Sequence, residues 1–289
     1  MRWTAGDRCT LEDRRGSSGI GMRGAGGLGL GGLLILLALS YFTGVDFLSL
    51  LGGGSVGPTS GAPSSSVSDG AGTGNVETTP EEEHLVDFVD AVMRDAQGTW
   101  SNLVQGYEPT RAVLFRDAVQ STCGFAQSAT GPFYCPGDRK VYLDLGFFNE
   151  LQNRLGAKGD FAEAYVLAHE LGHHVQNLTG IERRVRSQQQ ENPSQVNALS
   201  VKLELQADCF AGVWGHTASQ PGRAERGLVE LDPGDVEEGL NAAAAIGDDR
   251  LTQGRVAPDR FTHGTSEQRV SWFRRGLQSG DPAACNTFQ

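Results

Sequence analysis

His169-Glu170-Leu171-Gly172-His173 lies within a long helical pattern of the sequence. Two histidines four residues apart project from the same face of a helix, one turn above the other, with Cβ atoms roughly 5–6 Å apart. This spacing lets both imidazole rings bind one zinc ion, and the glutamate between them is placed to act as a general base on an attacking water molecule. The stretch therefore predicts a metal site on a helix.

The surrounding helix is predicted from an acidic capping box that begins at Asp160 to a terminating glycine at Gly180. Apolar residues recur between them at about 100° per residue. His169 and His173 fall roughly opposite this stripe, whereas histidines satisfied inside a core would lie on it. We therefore expect these two to face solvent or a cleft. The adjacent His174 projects to the apolar side of the helix. We therefore expect it to pack in the core or to contact a metal-ligating side chain, rather than to bind the metal itself.

A catalytic zinc ion needs a third protein ligand. Residues 195–216 are again helical by pattern, and Glu204 and Asp208 lie one turn apart on a face with small alanines beside them. We predict that Glu204 is the third ligand. Asp208 would then accept a hydrogen bond from the free ring nitrogen of a ligand histidine. Taken alone, these two residues are more typical of a solvated acidic pair, but beside the two histidines the metal site is favoured.

These spacings resemble the gluzincin arrangement of zinc peptidases, in which His-Glu-x-x-His is followed some thirty residues later by the helix with the third ligand. More narrowly, the chain resembles a bacterial family of membrane-anchored proteins called "Putative neutral zinc metallopeptidase". The resemblance covers nearly the whole chain apart from a linker, and it runs through residues 12–16, 114–117, 123–126, 133–138, 141–144, 169–176, 203–214, 235–249, 262–264 and 268–269.

The resemblance implies an α+β fold, with a mainly helical zincin-like metallopeptidase domain, a small antiparallel sheet and one preceding transmembrane helix. Zincin folds place an antiparallel edge strand above the active-site helix, where an extended peptide can add to it. Residues 140–144, with Tyr142 at their centre, would be that strand, and an ordinary interior strand is the alternative. By the same likeness, His263 would be a catalytic hydrogen-bond donor or a displaceable fourth ligand, and Arg269 would steady Asp208.

Composition divides the chain into four segments: residues 1–23, 24–45, 46–79 and 80–289. Residues 24–45 are apolar or glycine apart from Ser40 and Thr43, which is about long enough to span a bilayer. Arginines precede this segment and no lysine or arginine follows until Arg94, a bias that predicts a cytoplasmic N-terminus in a single-pass bacterial membrane protein. Residues 46–79 then read as a flexible linker and residues 80–289 as an extracytoplasmic catalytic domain. A cleaved signal peptide is the alternative reading.

Four cysteines follow the predicted membrane segment, and an even number in an oxidising compartment indicates two disulfides. Three pairings are possible. Our first choice joins Cys123 to Cys135 across a short loop, which leaves Cys209 to bind Cys285 and tie the C-terminal tail to the helix of Glu204. A structural zinc held by cysteines is disfavoured because no C-x-x-C spacing occurs.

The parts together predict a zinc metalloendopeptidase with one catalytic zinc ion, Glu170 as general base, and a peptide or protein substrate. The net charge of −11 argues against a nucleic-acid partner. Two alternatives belong to other classes: a catalytically idle binding module that retains zinc, and a zinc hydrolase of a non-peptide cell-envelope bond. Binding alone does not require Glu170, so its presence speaks against the idle module.

Overall fold

The computed structural model describes residues 1–16 and 77–289. In this part of the chain, helices predominate and the strands form small sheets. The elements are, in chain order, β1 (Leu11–Asp13), α1 (Pro80–Leu103), β2 (Ala112–Phe115), β3 (Ala118–Ser121), β4 (Gly124–Gln127), β5 (Phe133–Cys135), β6 (Lys140–Asp144), α2 (Gly146–Asn153), α3 (Asp160–Leu178), α4 (Ile181–Glu191), α5 (Val196–Ala218), α6 (Asp235–Ala245), α7 (Asp248–Leu251) and α8 (Ser266–Ser279).

The main sheet is mixed, with the strand order β1-β2-β6-β5. β1 and β6 both run parallel to β2, while β5 runs antiparallel to β6. The antiparallel arrangement expected for this sheet is therefore wrong. Residues 116–139 separate β2 from β6, and this length allows a crossover that returns the chain in the same direction. β3 and β4 form a separate antiparallel hairpin within that crossover.

The expected fold class also included a transmembrane helix, and this part needs correction as well. Within residues 1–16 and 77–289, no helix combines the length and the apolar character needed to cross a bilayer. The span expected at residues 24–45 and nearly all of the linker expected at 46–79 lie outside the described residues.

The N-terminal segment packs on the helical domain. β1 pairs with β2, and the backbone of Arg2 pairs with Glu230. The buried Arg15 guanidinium binds carboxylates of α1, lying 2.9 Å from Glu82 and 3.0 Å from Glu83. The topology expected from the sequence places residues 1–23 and the domain on opposite sides of a membrane. That single crossing is inconsistent with a sheet in which β1 and β2 are neighbours.

α3, which carries the two candidate ligand histidines, is buried on nearly all sides because it packs on α1, α5, α6 and β5. The capping box predicted at Asp160 does not form, since its carboxylate instead lies 2.8 Å from the amino group of Met1. His169 and Glu170 are only 5% and 7% exposed. The histidines therefore lie at the floor of a cleft, and the apolar stripe predicted for this helix is only part of its buried surface.

Both predicted disulfides are present: Cys123 is bonded to Cys135, and Cys209 to Cys285. The second bond ties the C-terminal tail to α5, as expected. Among the described residues Cys9 is the free cysteine, and it is exposed.

Glycines let α5 and α8 pack with their backbones in contact. A Cβ atom on Gly276 would lie 1.9 Å from the carbonyl oxygen of Cys209, and one on Gly212 would lie 2.2 Å from that of Phe273. Neither obstacle is a flexible side chain, so the two helices would have to separate to admit a methyl group. This crossing holds α8 against the helix of Glu204.

We expect Gly276→Ala to lower the free energy of unfolding by about 1–3 kcal/mol, the usual cost of overpacking. Gly98→Ala in α1 is the matched control, because a Cβ atom there would meet nothing within 4 Å. In a helix interior this change stabilises by roughly 0.5–1 kcal/mol. Urea unfolding followed by circular dichroism measures both. A Gly276→Ala protein as stable as the wild type would refute the close packing.

Candidate metal centre

The candidate ligands come together where α3 and α5 approach closely. A Cβ atom on Gly172 would lie 3.0 Å from the backbone of Ala207, so only glycine fits this contact without a shift. The approach places His169 Nε2 3.2 Å from His173 Nε2 and 3.2 Å from a carboxylate oxygen of Glu204. His173 Nε2 lies 3.5 Å from the other Glu204 oxygen. The structure thus joins the three residues that the sequence singled out.

These separations fit a metal ion. A tetrahedral zinc ion with bonds of about 2.0–2.1 Å holds its ligand atoms about 3.3 Å apart. The measured separations of 3.2 to 3.5 Å lie on either side of this value. Two imidazole nitrogens and a carboxylate are also the donor set of known catalytic zinc sites. Within the described ranges, other clusters of acidic or sulfur side chains lack imidazoles.

The ring of His169 is oriented by a buried carboxylate. Its Nδ1 donates to Asp208 at 2.8 Å, so the lone pair of Nε2 is left for a metal. Arg269 holds Asp208 through two hydrogen bonds of 2.9 and 2.8 Å, and the hydroxyl of Tyr165 donates to the same carboxylate. Burial alone would raise the pKa of Asp208, but Arg269 and His169 together outweigh it and lower that pKa. Sequence reasoning missed Tyr165, although it lies one turn before His169 on the same helix.

The ring of His173 is oriented by a neutral amide. Its Nδ1 donates to the Gln176 side-chain oxygen at 2.9 Å, and the amide nitrogen of Gln176 donates to the carbonyl of Leu203 at 2.7 Å. Burial lowers the pKa of His173, but Glu204, Glu170 and Gln176 together outweigh this effect and raise it to about 10. Sequence reasoning also missed Gln176, which lies three residues after His173 and so on its side of the helix.

His174 lies outside the candidate ligand set. It is buried, its Nε2 donates to the carbonyl of Glu108 at 2.7 Å, and its Nδ1 accepts from the hydroxyl of Tyr134 at 3.0 Å. These contacts anchor the end of α3 to β5. His174 therefore packs behind Tyr134, which lines the cleft.

Glu170 faces the same cleft as the three candidate ligands. Burial raises the pKa of this carboxyl, while His173 and His169 act in the opposite direction. A carboxylate of raised pKa next to a metal site suits proton transfer near neutral pH.

His263 lines this cleft as well, and a buried aspartate fixes its loop. One oxygen of Asp248 accepts the backbone N–H groups of Thr262, His263 and Gly264 at 2.8, 2.7 and 3.1 Å. The other lies 3.2 Å from His263 Nδ1. Burial lowers the pKa of His263, but the hydrogen bond to Asp248 and the negative charges of Glu204 and Asp248 together outweigh it, so the pKa is raised. Sequence reasoning missed Asp248, because fifteen residues separate it from His263 and no helical spacing connects them.

Tyr142 is misplaced by the sequence analysis. β6 lies between β2 and β5, so it is the interior strand that was left as the alternative. The Tyr142 ring is 1% exposed, stacks on Phe133, and its hydroxyl donates to Asp138 at 2.6 Å. The outer strand beside the cleft is β5, whose Phe133 and Tyr134 line it. Strand order depends on pairing between distant segments, which local patterns do not reveal.

The cleft has a volume of about 470 Å³ and two kinds of wall. Polar side chains of α4 and α5 form one part, including Glu182, Arg186 and Ser200. Apolar side chains form another part, contributed by Phe133, Phe147, Val166, Ile246 and Leu251. The cleft can hold an extended molecule with an apolar group next to the metal centre.

Comparisons with known proteins identify the family of the chain. "Uncharacterized protein YpfJ" of Escherichia coli (strain K12) is 46% identical over 303 residues, covering 100% of this chain and 99% of that protein. "Uncharacterized protein Rv2575" of Mycobacterium tuberculosis (strain ATCC 25618 / H37Rv) is 44% identical over 207 residues, 69% of each chain. No solved structure gives a significant match. Residues 1–288 match the family described as "Putative neutral zinc metallopeptidase", and the chain belongs to that family.

Proposed function

We propose that this protein is a zinc metalloendopeptidase. The observation that carries the proposal is the convergence of His169, His173 and Glu204, with ligand atoms 3.2 to 3.5 Å apart. Glu170 shares their cleft, where a binding module would have no need of a buried carboxylate beside the metal ligands. Membership of a zinc metallopeptidase family supports the same reaction class.

Three side chains would hold the ion: His169, His173 and Glu204. When bound, zinc supplies Lewis-acid activation of a water molecule and of the scissile carbonyl group. Glu170 accepts a proton from the attacking water and then delivers it to the leaving amine. Its burial favours both steps, because a raised pKa makes the carboxylate a better base and keeps the proton available for transfer.

His263 provides a hydrogen-bond donor for the oxyanion that develops on the carbonyl. Asp248 binds three backbone N–H groups of its loop and faces its Nδ1, so the ring is fixed before substrate arrives. A donor that is already in place needs no reorganisation during the reaction, which is the basis of such stabilisation. With Nδ1 facing Asp248, the Nε2 of His263 donates while the ring is protonated, the state that its raised pKa favours.

The substrate is an extended peptide lying along β5. Within residues 1–16 and 77–289 this outer strand has β6 on one side only, so its other side is available for backbone hydrogen bonds from a peptide. The apolar wall beside it then receives a bulky apolar side chain. Two disulfides in the domain support a site of action in an oxidising compartment.

Glu170→Gln should retain zinc and lose peptide cleavage by a factor of about 10² to 10⁴, because the amide keeps the shape of the side chain but cannot accept the proton. The assay is turnover of a fluorogenic peptide library, with zinc content measured in parallel. Glu163→Gln is the matched control, since Glu163 is a buried glutamate of the same helix that binds Gln152 at 2.7 Å outside the cleft. It should cleave like the wild type.

Cleavage by Glu170→Gln at the wild-type rate would exclude Glu170 as the base. A wild-type protein that binds zinc and cleaves no peptide in the library would instead favour the idle binding module. Turnover of envelope glycans with no peptide turnover would favour the non-peptide hydrolase.

Zinc binding at pH 7 should release about one proton, because metal ligands must be deprotonated and the metal-free His173 has a raised pKa of about 10. Affinity should accordingly fall as the pH is lowered. Titration calorimetry in buffers of different ionisation enthalpy measures the protons released. Heats that do not depend on the buffer would contradict a protonated metal-free site.

A further inference from the structure

The hydrogen bonds behind His173 continue beyond Gln176. The amide nitrogen of Gln176 donates to the side-chain oxygen of Gln206 at 3.1 Å, and the amide nitrogen of Gln206 donates to the backbone carbonyl of Cys285 at 2.9 Å. Gln176 is 1% exposed and Gln206 is 4% exposed. Two neutral amides thus connect a candidate ligand to the C-terminal tail through the protein interior.

The direction of these hydrogen bonds is set by two backbone carbonyls, that of Cys285 at the end and that of Leu203 beside Gln176. A backbone carbonyl can only accept, so Gln206 must turn its nitrogen toward Cys285 and its oxygen toward Gln176. Gln176 must then turn its nitrogen toward Gln206 and its oxygen toward His173. Reversing either amide would place two acceptors against each other in a buried site, which costs the full desolvation penalty of both groups.

This direction determines which nitrogen of His173 carries the proton. The Gln176 oxygen can only accept, so Nδ1 of His173 is the protonated nitrogen and Nε2 keeps its lone pair for the metal. His169 is oriented by the Asp208 carboxylate, which accepts in either orientation. His173 differs because its partner is an amide, which can present either a donor or an acceptor. If the Gln176 nitrogen faced Nδ1, the proton of the neutral ring would lie on Nε2 instead.

The Cys285 carbonyl is itself held by the disulfide to Cys209 on α5. Both cysteines are fully buried, and Cys209 lies less than one turn after Gln206 on the same helix. The bond therefore keeps the tail residue beside the Gln206 amide. Without this disulfide, the Cys285 carbonyl would belong to a short segment after α8 that is held against α5 by non-covalent contacts alone.

We propose that Gln176 and Gln206 are positioning residues for His173, and that the disulfide-held carbonyl of Cys285 fixes the direction of their hydrogen bonds together with the Leu203 carbonyl. This inference rests on the proposed role of His173 as a zinc ligand. It assigns a function in metal binding to the disulfide between Cys209 and Cys285, neither of which is among the residues that line the cleft.

The test is the zinc dissociation constant of the full chain, measured by competition with a chelator. Gln176→Met should weaken zinc binding by about 10- to 100-fold, the usual effect of removing a partner of a ligand histidine. Gln206→Met should weaken it less, by at least about threefold, because the Leu203 carbonyl still holds Gln176. The double variant Cys209→Ser/Cys285→Ser should also weaken it.

Two matched controls separate this effect from general loss of packing. Gln97→Met removes a buried amide whose oxygen accepts from the backbone N–H of Thr110, outside the cleft. Cys123→Ser/Cys135→Ser removes the other disulfide. Both should bind zinc like the wild type. Circular dichroism of each variant shows whether it folds, and only folded variants enter the comparison.

A second measurement does not depend on any variant. Long-range ¹H–¹⁵N spectra of the zinc-loaded wild type should show the proton of His173 on Nδ1. A proton on Nε2, or a Gln206→Met protein whose zinc affinity equals that of the wild type, overturns the positioning role alone. A wild-type protein that binds no zinc overturns the proposed metal centre and this inference together.

Discussion

The structure depends on the close approach of two helices, α3 and α5, at Gly172 and Ala207. A single methyl group at Gly172 would meet the facing backbone at 3.0 Å. The approach brings His169 and His173 within 3.5 Å of Glu204. Three electron-rich atoms at that spacing repel one another unless a cation lies among them, so the site is stable only with a metal ion or a bound proton. The raised pKa of His173 is the expression of this constraint in the metal-free protein.

The surrounding residues make such a buried site tolerable. Asp208 is completely buried, yet it is paired with Arg269 and hydrogen-bonded to His169 and Tyr165. Buried ions are costly unless they are both paired and hydrogen-bonded, and this group satisfies both conditions. The glycine contacts between α5 and α8 hold Arg269 at the distance this pairing needs. The packing of α8 on α5 therefore helps to position the residues of the metal centre.

Features that repeat along one helix could be predicted from the sequence. The spacing of His169 and His173, and that of Glu204 and Asp208, follows directly from helix geometry. Pairings between distant segments could not be read this way. The order of strands places Tyr142 in the interior of the sheet. Asp248 contacts His263 from another element, and β1 joins the sheet from a segment that was expected on the other side of a membrane. The two disulfides were an intermediate case, because the number of cysteines limited the choice to three pairings.

The most direct test of the metal centre is a crystal structure of the zinc-loaded protein with diffraction data collected at the zinc absorption edge. We predict one anomalous peak about 2.0–2.2 Å from His169 Nε2, His173 Nε2 and a Glu204 oxygen. A peak bound through sulfur, or one that lies away from these three side chains, would contradict the account.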